Sequence, residues 1–88
     1  MKAAIYDIDG TQVVAYTEPD GDDLIVHRCF EVNGVFVDFS VTGTPSGKMT
    51  DGMETKLFDA FASEAKCRAA FDEVRGMMPP VQDDEASS

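Results

Sequence analysis

Two dipeptides, Asp9-Gly10 and Asn33-Gly34, constrain this chain more than any other feature of its sequence. Each sits between two runs rich in β-branched and aromatic residues. A two-residue type I′ turn needs positive φ at both central positions, which Asp-Gly and Asn-Gly tolerate at low cost. The first turn joins Ala3–Ile8 to Thr11–Thr17. It pairs Ile8 with Thr11, Tyr6 with Val13 and Ala4 with Ala15 on one face, and Asp7 with Gln12 and Ile5 with Val14 on the other. The second turn joins Leu24–Val32 to Val35–Thr42. Val26, Phe30, Val32, Val35, Val37, Phe39 and Val41 fall on one face; His27, Cys29, Glu31, Phe36, Asp38 and Ser40 fall on the other. One apolar and one mostly polar face is the pattern of an antiparallel sheet solvated on one side. Arg28 interrupts the apolar face opposite Phe39, where it can reach an edge or stack on the ring.

Between the hairpins, Glu18-Pro19-Asp20-Gly21-Asp22-Asp23 reads as an acidic turn. Gly43 to Gly52 reads as a loop. Two readings then compete for Met53–Phe61: a helix capped by Asp51 with Glu54 at its third position, or a fifth strand. Cys67, Ala70, Phe71, Val74 and Met78 lie on one helical stripe, and that stripe extended backward leaves Phe58 and Phe61 off the face. The expectation is therefore a strand over 53–59 and a helix over 63–75. Ser63 caps that helix, Gly76 ends it and Pro79-Pro80 blocks continuation. The predicted fold is α+β: an antiparallel four- or five-stranded sheet of consecutive hairpins with one C-terminal helix on one face. The domain covers 1–78, and 79–88 is expected to be an acidic disordered tail.

Eighty-eight residues fit one domain. The expected location is the cytoplasm, because the sequence shows no signal-peptide pattern and no apolar run of membrane-spanning length. Cys29 and Cys67, far apart and with one histidine in the chain, do not form a zinc pattern, and no metal or cofactor is expected.

Charge separates the candidate functions. Seventeen acids oppose seven bases, for a net charge of −10. Direct nucleic-acid binding requires the opposite sign, and an anionic membrane repels such a chain. Residues 1–47 hold eight acids and two bases, whereas 48–76 hold six and five. The acids Asp7, Asp9, Glu18, Asp20, Asp22, Asp23, Glu31 and Asp38 are the candidate partner-binding residues, presenting a negative surface to a basic protein partner.

Ala4-Ile5-Tyr6-Asp7-Ile8-Asp9-Gly10-Thr11 resembles motif I of the haloacid dehalogenase-like phosphatases, an apolar strand ending in DxDGT. The resemblance implies a nucleophilic Asp7, an acid/base Asp9, Mg²⁺ and a Rossmann-like parallel sheet. The chain returns at once as a second β-run and is shorter than that family's core. His27, Ser40 and Asp38 share a strand face in a base, nucleophile and orienter order, without an evident oxyanion hole. Asp20, Asp22 and Asp23 lack the loop and closing glutamate of an EF-hand, and Gly43 to Met49 is one residue short of a Walker A loop. The expectation is a non-enzymatic protein. In size, charge and missing catalytic apparatus it resembles the small phage-encoded anti-CRISPR and anti-restriction inhibitors. That resemblance implies a CRISPR effector complex as partner and denial of nucleic-acid access as mechanism. The alternative is a homo-oligomeric accessory or structural protein joined through Phe36 or a strand edge.

Overall fold

The computed structural model describes residues 1–45 and 47–77. Their elements run β1 (Ala3–Ile8), β2 (Thr11–Asp20), β3 (Asp23–Val32), β4 (Val35–Asp38), β5 (Val41–Gly43), α1 (Asp51–Ala62) and α2 (Glu64–Met77). The sheet is antiparallel in the order β1-β2-β3-β4, and β5 also pairs with β3. Both X-Gly turns form as the sequence requires: Asp9, Gly10, Asn33 and Gly34 all have positive φ. The first hairpin has the expected register throughout, and β3 keeps one register against β4 and β5. The expected strand over 35–42 is thus one extended run, divided at Phe39 and Ser40. Phe39 N–H still donates to Arg28 C=O across the break.

The acidic segment 18–23 is mostly strand. Asp20 pairs with Asp23, which leaves Gly21 and Asp22 as a two-residue turn with Gly21 at positive φ. Pro19 is tolerated inside β2. Thr17 N–H donates to Lys2 C=O on the β1 side, so position 19 faces the same way, just past the end of β1. Its missing N–H costs no bond to β3.

The larger correction concerns 53–59, which is helix, so two helices pack on the sheet rather than one. Thr50 caps α1, its hydroxyl accepting from Met53 N–H at 3.2 Å. Glu54, Leu57, Phe58, Phe61 and Ala62 form a complete helical stripe of their own. Ser63 then adopts an extended conformation at ψ 164 and resets the helical phase. A single unbroken stripe cannot describe this pair, because the two helices meet the sheet at different phases. Ser63 does cap α2, accepting from Lys66 N–H, while Gly76 lies within α2 rather than ending it. The expected acidic tail, 79–88, lies outside the described residues, as does Met78.

Ile8, Val13, Val26, Phe30 and Val32 project from one sheet face against Phe58, Ala62, Cys67, Phe71 and Val74 of the helices. Phe30 meets Phe71 edge-on at 5.3 Å. Two sheet side chains finish α1. Arg28, only 6% exposed, donates through Nη1 to Phe61 C=O at 2.9 Å and through Nε to Phe39 C=O at 2.8 Å. Its guanidinium also lies over the Phe39 ring at 4.8 Å, so of the two expected outcomes the stack is realised. Tyr6 hydroxyl donates to Ala62 C=O at 3.0 Å. The last turn of α1 holds no basic residue of its own, and its orphan carbonyls take their donors from the sheet. At the other end of α1, the Glu54 carboxylate accepts from the buried Thr17 hydroxyl at 2.6 Å and lies 3.4 Å from the N-terminal amine.

Candidate binding face

The helices cover one face of the sheet and leave the other open. Strand alternation places Asp7, Glu18, Asp20, Asp23, Glu31 and Asp38 on the open face. Of the Lys and Arg residues, Arg28 of β3 and Lys2, which just precedes β1, have the opposite parity. The remaining described Lys and Arg residues, Lys48, Lys56, Lys66, Arg68 and Arg75, follow the sheet in sequence, all but Lys48 within α1 and α2. Among the described residues, the strands therefore present carboxylates and no lysine or arginine on the open face.

Two of the eight candidate acids are placed differently. Asp22 sits in the β2–β3 turn. Asp9, at the tip of the first hairpin, is 3.3 Å from Arg68 and 4.0 Å from Arg75 of α2. Asp7 instead accepts from Gly10 N–H at 3.1 Å across the turn. The two carboxylates of the DxDGT motif thus turn to different sides, one into its own turn and one to α2. The sheet around them is antiparallel, not the parallel sheet that the phosphatase resemblance implies.

His27 organises the middle of the face. Its Nε2 is 2.7 Å from Glu18 Oε1, and its Nδ1 is 2.8 Å from Asp38 Oδ2. The ring stacks on Tyr16 at 4.5 Å with 14° between planes. The geometry follows from register: Tyr16 is directly opposite His27, while Glu18 and Asp38 lie on its two diagonals, one from each neighbouring strand. Burial works against the charged ring, but hydrogen bonds and charge from Glu18 and Asp38 outweigh it and hold His27 above its ordinary pKa. With a carboxylate at each nitrogen, the favoured species is the imidazolium, donating from both sides. Both ring nitrogens are thus engaged by carboxylates rather than by Ser40.

Cys29, beside the clamp, is 8% exposed. Burial, together with the charge of Asp38 and a hydrogen bond to it, pushes its thiol up to about 11. Tyr16 is also raised, first by burial and then by Cys29, Asp38 and Glu18. Among the described residues no group of three or more His, Cys, Asp and Glu side chains is arranged to hold a metal ion. Cys29 and Cys67 are both free and buried.

Beyond Val14 and Cys29 the β2–β3 ladder stops, although β1–β2 and β3–β4 each continue to their turns. The sheet forks there into two hairpins. On the open side the fork is a concavity of about 610 Å³, lined by Gly10, Thr11, Gln12, Val14, Tyr16, Cys29, Phe30, Glu31 and Phe36. Phe36 is 70% exposed at its rim.

Sequence periodicity places Asp38 on a diagonal from His27, as the structure does, but it misses the roles of Glu18 and Tyr16. Treating 18–23 as a long turn hides the β2–β3 register that brings both to His27. No helix of the described residues is long and apolar enough to cross a membrane. Comparison with protein-family models, with curated proteins and with solved structures finds no match to this chain.

Proposed function

We propose that this chain is a binding protein that docks the open face of its sheet onto a basic surface of a partner protein. The observation that carries the reading is the segregation of charge. The Asp and Glu residues that the strands present on that face have no Lys or Arg beside them there; His27, held between Glu18 and Asp38, is the basic side chain among them, and the described Lys and Arg lie elsewhere, most of them on the helices. Such a face attracts a cationic partner from a distance and rejects polyanions. A basic surface that normally holds nucleic acid fits this chemistry, and occupying it denies the nucleic acid access. The resulting activity is inhibition, of which binding to a CRISPR effector complex is one instance.

The test is capture of partners from a lysate containing nucleic-acid-binding defence complexes, at low and at high salt. Retention of a nucleic-acid-binding protein that is released by salt, competed by DNA or RNA, and lost from an Asp20→Lys/Asp23→Lys/Glu31→Lys variant supports the reading. Equal capture by that variant and by one reversed at Asp51 and Asp59 on α1 overturns it.

Self-association is the second reading, favoured by Ile5 at 62% exposure and Phe36 at 70%. Stacking two open faces sets their carboxylates against each other. The outer edge of β1, whose main-chain groups have no strand beside them among the described residues, is the better contact. Mass that rises with concentration, and does not rise for Ile5→Lys, identifies this case.

A further inference from the structure

The fork in the sheet is a different kind of feature from the charge around it. We infer that the concavity between β2 and β3 is the anchoring pocket for a single arginine side chain of the partner, an inference that rests on the docking function proposed above. Strand alternation fixes what the fork offers. Thr17 N–H points to β1, so even-numbered residues of β2 direct their main-chain groups toward β3. Arg28 C=O points to β4, so odd-numbered residues of β3 direct theirs toward β2. Gln12 and Glu31 would be the next bonded pair after Val14 and Cys29, yet the ladder ends before them. Their main-chain groups, carbonyls among them, face into the fork, where no Gln12–Glu31 pairing continues the ladder.

A guanidinium matches this set. It has five donors in one plane for the Gln12 and Glu31 carbonyls and the Glu31 carboxylate, and its faces stack on aromatic rings. Phe36, 70% exposed, and Tyr16 both line the concavity. Val14 and Cys29 form an apolar floor for the aliphatic stem. Glu31 is the one charged side chain that lines the concavity, and no base lines it. A lysine brings a compact ammonium that can neither bridge these acceptors in one plane nor stack as well. The core side of the fork is already filled by Phe30 against Phe71, so the empty volume belongs to the open face.

The experiment is an NMR titration of the full ¹⁵N-labelled chain at low ionic strength with the blocked peptide acetyl-Gly-Arg-Gly-amide, alongside its lysine and citrulline counterparts. The expected result is saturable shifts at Gln12, Val14, Cys29, Glu31 and Phe36 with the arginine peptide. Glu31→Gln should weaken binding about tenfold, since the hydrogen bond accepted at this position loses its charge. Phe36→Ala should weaken it by a smaller factor, and Asp59→Asn on α1 should not change it. Glu31 and Phe36 are exposed, so both variants should fold, which the unshifted remainder of each spectrum verifies. Equal shifts from the lysine peptide, spread over Asp20, Asp23 and Asp51, would overturn the inference in favour of general charge attraction. Absence of saturable shifts would overturn it too. If the peptide leaves the fork untouched while charge reversal still abolishes partner capture, the pocket fails and the docking reading stands. If the peptide saturates the fork but no partner is captured, the pocket stands and the docking reading fails.

Discussion

Arg28 reaches from the centre of β3 through the core to Phe61, and donates to its carbonyl at 2.9 Å where α1 ends. The residue that looks like an error in the apolar pattern of β3 is the one that joins sheet to helix. Burial lowers its pKa from the ordinary arginine value, and the Phe39 ring and carbonyl supply part of the lost solvation.

Replacing Arg28 should therefore be costly. Arg28→Ala leaves the Phe39 and Phe61 carbonyls without these donors, each worth about 1–3 kcal/mol when buried, and it opens a cavity as well. We expect a loss of about 3–5 kcal/mol in urea unfolding. Arg28→Lys should recover only part of it, because an ammonium cannot serve both carbonyls at the same reach. A loss under about 1 kcal/mol for the alanine variant would mean that water serves these carbonyls instead.

His27 gives stability an unusual pH dependence. Its folded-state pKa is raised, so the clamp contributes fully below its unfolded value of 6.5 and the contribution is lost as pH rises through the higher folded value. The wild type should exceed His27→Gln by about 1–2 kcal/mol at pH 5.5, with the gap narrowing toward pH 9. The figure is modest because Glu18 and Asp38 remain 55% and 39% exposed and are screened by solvent. Parallel curves for the two proteins across this range would show that the clamp is not formed in solution.

Glu54 works in the opposite direction. Its pKa is lowered, chiefly by the Thr17 hydroxyl and then by the N-terminal charge. Its contribution is present above the unfolded value of 4.5 and lost as pH falls through the lower folded value. Glu54→Gln should flatten the acid limb of the stability profile. Thr17→Val should cost about 1–3 kcal/mol near neutrality, because it leaves a poorly exposed carboxylate without its 2.6 Å donor. An unchanged acid limb in Glu54→Gln would exclude the interaction.

Neither thiol should react in the folded protein. Cys29 is buried with its pKa near 11, and Cys67 is fully buried with its pKa raised mainly by burial. An aromatic disulfide reagent at pH 8 should label both only at the rate of unfolding, and faster in urea. Prompt labelling of Cys29 alone would show that Tyr16 and Phe36 leave the fork more open than its side-chain burial indicates.

The two main hairpins are readable in the sequence, since Asp9-Gly10 and Asn33-Gly34 set the turn and a period of two then fixes which residues share a face. Local chemistry suffices there because a two-residue turn leaves no freedom of register. The same logic marks Arg28 as the exception opposite Phe39, and Ser63 as the start of α2. The third turn, Gly21-Asp22, is hidden because Pro19 and four acids imitate a loop, and that conceals the register placing Glu18 and Tyr16 around His27. α1 is obscured for a related reason: its stripe is as regular as that of α2, but Ser63 shifts the phase between them. Other features belong to the assembled sheet alone. Where the β2–β3 ladder stops depends on how two hairpins diverge over α2. The separation of acids from bases depends on which face the helices cover. Strand parity places each carboxylate relative to its neighbours; only packing decides which face is buried.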